Sequence, residues 1–80
     1  MNRADRQARV AGTQVGAHLF VSTMSLGLGP ALTDNAPSRY ETVVFLDGAE
    51  GERWQYPTWS EAETGHAAVV AWLRGERPPP

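Results

Sequence analysis

Apolar and polar positions alternate along the first two thirds of this chain and then change to helical spacing. In Arg39–Asp47, RYETVVFLD, Val43 and Phe45 fall on one side of an extended backbone, and Thr42, Val44 and Leu46 fall on the other. Both sides are rich in β-branched and aromatic residues, which predicts a strand in the middle of a sheet. Upstream, Ala17–Leu28, AHLFVSTMSLGL, has no helical spacing and runs into Gly-Pro, so it reads as the first strand. At a period of two, Phe20, Met24, Leu26 and Leu28 share one side with Ser22, and this is the expected core face; Leu19 and Val21 share the other with Thr23 and Ser25. Residues 29–38, GPALTDNAPS, carry loop chemistry. DGAEGE, residues 47–52, predicts a glycine-rich acidic turn, and Arg53–Tyr56 a short third strand that ends at Pro57, which has no N–H for the ladder.

Thr58 followed by Glu61 has the spacing of a capping box, as does Ser60 with Glu63; Thr58 is favoured because it directly follows the strand-ending proline. At ~100° per residue, Trp59, Gly65, Val69, Val70 and Leu73 lie within about a quarter turn of Ala62, and His66 falls inside the same stripe. A glycine in mid-helix costs ~1 kcal/mol relative to alanine. Gly65 on the buried face therefore predicts a close approach of helix to sheet. Gly75 is the expected C-cap, and Ala67, Ala68 and Ala71 occupy the other side, either as helix-favouring filler or as a second contact surface.

The architecture implied is α+β: a three-stranded antiparallel β-meander with one C-terminal helix packed on one face. Residues 1–16 read as a flexible basic N-terminal arm, 17–75 as a single domain and 76–80 as a proline tail. One helix covers one face of such a sheet, while the central strand is apolar on both. The second face is expected to be covered by the N-terminal segment, a second copy or a partner.

Composition narrows the chemistry. Eighty residues with no cysteine and two histidines offer a small core, no disulfide and no zinc ligand set, so no cofactor or metal is implied and association is the remaining source of stability. The formal charge of −2 is unevenly spread. Arg3, Arg6 and Arg9 face only Asp5 in the leading arm, whereas Asp34, Glu41, Asp47, Glu50 and Glu52 outnumber Arg39 and Arg53 in the body. An acidic body argues against direct nucleic-acid binding, which needs a basic stripe. No apolar run has the ~18 residues of a membrane span. The first residues lack the apolar core of a signal peptide, so the expected location is the cytoplasm of the host cell.

Candidate catalytic groups are few. Glu61 and Glu63 point about 200° apart on a helix and cannot share a substrate. No G-x-S-x-G elbow is present, which leaves His66 as the sole base for a small hydrolase. A histidine in an apolar stripe is more simply a packed residue bonded to the backbone or a strand group, with a carboxylate such as Asp47 or Glu41 in prospect. No residue is therefore assigned a catalytic role. The partner-binding candidates are the acidic hairpin, Asp47, Glu50 and Glu52, with Trp54 and Tyr56 as exposed aromatic anchors.

Three segments, S-T-x-x-L-G-L (Ser22–Leu28), E-T-x-V-F (Glu41–Phe45) and Y-x-T-x-x-E-A-x-x-G-H (Tyr56–His66), resemble a group of small uncharacterised proteins encoded by bacteriophages and prophages. The likeness covers roughly residues 21–70, and LGPALTDNAPS stands where the group often carries Asp-His after its L-G-L. The resemblance implies a phage accessory protein built as a β-meander with a C-terminal helix. Together with the acidic body, it sets the expectation of a non-enzymatic protein that binds another protein, as an inhibitor of a host or defence component of the anti-CRISPR type. The alternative expectation is a self-assembling structural or virion-associated homo-oligomer.

Overall fold

The computed structural model describes residues 9–26 and 39–80. Within them the chain is α+β, with one antiparallel sheet in the order β1-β2-β3-β4 and a helix after it. The strands are β1 (Arg9–Val15), β2 (Leu19–Ser25), β3 (Tyr40–Leu46) and β4 (Ala49–Tyr56), and the helix α1 spans Trp59–Leu73.

The sheet has four strands and not three, because Arg9–Val15, expected within a flexible arm, pairs with β2. This strand, RVAGTQV, is easily missed: its inward residues Ala11, Thr13 and Val15 are small or polar, and its outward side includes Gly12 and Gln14. The acidic turn is also shorter than expected. Asp47 and Gly48 both have positive φ, 50° and 85°, and lie between the paired residues Leu46 and Ala49. Asp-Gly with two left-handed residues is the two-residue turn whose twist suits a hairpin. β4 therefore begins at Ala49, and the remaining glycine, Gly51, sits where the register slips between Val43 and Phe45.

The core face of β2 is the opposite of the one expected. Val21 and Thr23 are fully buried beneath α1, while Phe20 and Met24 are half-buried on the far side. The register carries this phase across the sheet, since Val21 opposes Val44 and Thr23 opposes Thr42. Val15, Val21 and Val44 meet Val69 and Val70 of α1 in the core, flanked by Leu19, Trp54, Trp72 and Leu73. The sheet turns Val15, Val21 and Val44 and the threonines Thr13, Thr23 and Thr42 toward the helix, and these small branched side chains let the helix approach.

That approach is close at Gly65. A Cβ there would lie 2.2 Å from the Tyr56 ring, so only glycine leaves room for the tyrosine against the helix. The ends of α1 are capped as the sequence predicts. Thr58 Oγ1 accepts from the Glu61 N–H at 3.1 Å. At the other end, Gly75 (φ 78°) donates to Trp72 O at 2.9 Å and Glu76 donates to Ala71 O at 2.8 Å, the paired bonds of a left-handed glycine stop. The apolar stripe holds for Ala62, His66, Val69 and Val70, all buried. Trp59 departs from it: the residue is 46% exposed, and its ring packs edge-on against Tyr40. Residues 27–38, the expected loop with the end of the expected first strand, lie outside the described residues, as do Arg3 and Arg6.

Candidate functional site

Alternation along the strands turns Thr13, Thr23, Thr42 and Tyr56, from β1 to β4 in order, toward the helix side of the sheet. His66 descends from α1 into this row. Its Nε2 lies 2.9 Å from Thr13 Oγ1, and its Nδ1 lies 2.7 Å from Thr23 Oγ1. Thr23 Oγ1 is in turn hydrogen-bonded to Thr42 Oγ1, and Thr42 shares a hydrogen bond with the Tyr56 hydroxyl. All five elements thus contribute one member to a single polar chain.

Burial explains the electrostatics of this chain. Desolvation pushes the His66 imidazole below the usual value of 6.5, so the neutral ring is favoured. Desolvation also raises the Tyr56 phenol, and the Thr42 hydrogen bond opposes the rise. Neutral imidazole has one N–H donor and one acceptor nitrogen, and hydroxyls can take either role, so the row can be satisfied without a charge. Every buried side-chain nitrogen and oxygen among the described residues has a partner. Thr23 and Thr42 are 0% exposed and His66 is 6% exposed, so the inner part of the row does not meet solvent.

The expected histidine environment is therefore correct in kind, with strand hydroxyls as the partners. Among the described residues no carboxylate bonds to His66. Glu41 lies on the opposite face, where it pairs with Arg53 at 3.6 Å, and Asp47 belongs to His18, at 2.7 Å from its Nδ1. The His18–Asp47 pair, with the Asp47 N–H donating to His18 O at 2.8 Å, ties the β1–β2 and β3–β4 turns together at one end of the sheet.

The five partner-binding candidates do not form one surface. Asp47, Glu50 and Glu52 are exposed around the hairpin, with Glu50 ion-paired to Arg53. Trp54 and Tyr56 are not the exposed anchors anticipated, because both are half-buried on the helix side. Trp54 meets Trp72 edge-on at 5.9 Å, and Tyr56 lies against Gly65. Their phase follows from Trp54 opposing Thr42 across β3 and β4.

The face opposite α1 is the surface the sequence reading left unassigned to residues. Phe20, Met24, Val43 and Phe45 are half-buried at its centre, and no described element lies over them. Arg9 folds across Phe20, its guanidinium carbon 5.3 Å from the ring centroid, in a niche that a side chain at Gly12 would fill. On the far side of the apolar centre, Arg53 is ion-paired to both Glu41 and Glu50. Two shallow grooves follow the strands: one of about 520 Å³ beside Gln14, Phe20 and Phe45, and one of about 280 Å³ beside Met24, Val43 and Glu50. The alternation of β2 held this signal, but only the side occupied by the helix decides which phase is outside.

Comparison with protein-family models, curated proteins and solved structures found no match to this chain.

Proposed function

We propose that this is a non-enzymatic accessory protein of a phage or prophage that acts by binding protein, with the sheet face opposite α1 as its contact surface. The observation that carries the reading is the asymmetry of the sheet. One face is closed by α1, with His66 committed to Thr13 and Thr23, while the other presents Phe20, Met24, Val43 and Phe45 inside a charged rim. An apolar centre with a polar rim is the anatomy of protein contacts. The exposed carboxylates of Asp47 and Glu52 lie at the hairpin beside it and support the finer reading, an inhibitor of a host or defence component whose basic groove normally holds nucleic acid.

Affinity capture from host lysate tests this reading. The wild-type bait is expected to retain a protein that a Phe45→Lys bait loses. Identical recovery by both baits would remove the face as the contact. Self-assembly, the second reading, is favoured by the charge arrangement on the same face.

A further inference from the structure

Strand register places the charges of the open face in a defined order. Arg9 is level with Met24 and Glu41, because Arg9 pairs with Met24 and Met24 with Glu41. Phe20 is level with Phe45 and Glu50. The cation therefore stands on the β1 side of the apolar centre, and the Glu41–Arg53–Glu50 cluster, with one more acid than base, stands on the β3–β4 side. The Arg9 side chain runs toward Phe20, past Gly12, so its guanidinium sits between the levels of Glu41 and Glu50.

This pattern is self-complementary. A twofold axis lying in the face and running along the strands carries the β1 side of one copy over the β4 side of the other and preserves height along the strand. It sets Arg9 of each copy against the acidic cluster of the other and stacks the two apolar centres. Aligned packing of two sheets is a common way to close a face of this kind.

We infer that the occupant of this face is a second copy of the chain, packed face to face in a twofold dimer that pairs Arg9 of each copy with Glu41 and Glu50 of the other. The inference rests on reading the face as a protein contact and names what it contacts. Four strands ~4.8 Å apart and seven residues at ~3.3 Å per residue give a face of roughly 440 Å². That is about half of what a standard stable interface buries per partner, so the dimer is reversible and forms at high protein concentration.

Photo-methionine at position 24 reports directly on what covers the face, since it replaces Met24 with a side chain of nearly the same shape. In purified full-length protein, irradiation is expected to give a covalent dimer whose yield rises with concentration, joined through peptides of β2 and β3. Arg9→Glu is expected to weaken self-association at least about tenfold by setting like charges together, and Arg9→Glu with Glu50→Arg to restore it. A cross-link from Met24 to residues 1–8 or 27–38 of the same chain would overturn both the dimer and the reading of the face as a contact. Purified protein that gives no dimer at any concentration, while lysate yields a cross-link to another protein, would overturn the dimer and leave that reading standing. A dimer indifferent to Arg9→Glu would also overturn the arrangement.

Discussion

His66 holds Thr23 through its Nδ1 at 2.7 Å, joining the helix to the second strand at a point where the threonine is fully buried. The same ring reaches Thr13 of β1 through Nε2, so one side chain ties the helix to two strands. Removing it should be costly because fully buried Thr23 and half-buried Thr13 each lose a partner. His66→Leu keeps an apolar body of similar size and is expected to lower stability by ~2–3 kcal/mol in urea denaturation. A midpoint equal to that of the wild type would mean that the hydroxyls find other partners.

Acidification acts on the same ring. Burial lowers the folded-state value of His66 below the unfolded value of 6.5, so between those two values the unfolded chain holds more protons. The contribution to stability is complete above pH ~6.5 and declines as pH falls toward the depressed folded value. Denaturation curves from about pH 7.5 down to about pH 5.5 should show this decline in the wild type and in His18→Asn, and a flatter profile in His66→Asn. Equal slopes in the wild type and His66→Asn would assign the effect to other groups.

Gly65→Ala sets two effects against each other. Helix propensity favours alanine by ~1 kcal/mol, but the added Cβ falls 2.2 Å from Cζ of Tyr56. Overpacking of this kind costs ~1–3 kcal/mol, so a net loss is expected, and Tyr56→Leu in the same chain should recover part of it. Stabilisation by Gly65→Ala alone would show that the ring moves aside freely.

Thr58→Ala removes the acceptor for the Glu61 N–H and is expected to cost ~1 kcal/mol. For a domain of this size that corresponds to a fall of ~4–8 °C in Tm. Thr58→Ser keeps the acceptor and should melt close to the wild type, so equal melting of all three proteins would place the cap elsewhere.

Local signals were legible wherever one side chain answers to its own backbone. The Thr58 cap, the Gly75 stop and the demand for glycine at position 65 could each be derived from spacing alone, because a capping oxygen and a left-handed residue act over a few positions. The Asp47-Gly48 turn was equally local, but the glycine and acidic residues that follow it masked where β4 begins. β1 was lost because Ala11 and Thr13 are small, so its alternation carries little hydrophobic contrast.

The sequence by itself determined a meander of alternating strands, a capped helix, and a histidine on that helix's buried side. Only the tertiary structure decided which phase of β2 faces α1, since period-two alternation is symmetric and Phe20 and Val21 are both credible core residues. The helix resolves that symmetry. With His66 bonded to Thr13 and Thr23, and Tyr56 against Gly65, the small and hydroxyl-bearing side chains turn inward and Phe20, Met24 and Phe45 turn to the other face. The long-range register then lines up Arg9 with Glu41, a juxtaposition no local spacing contains.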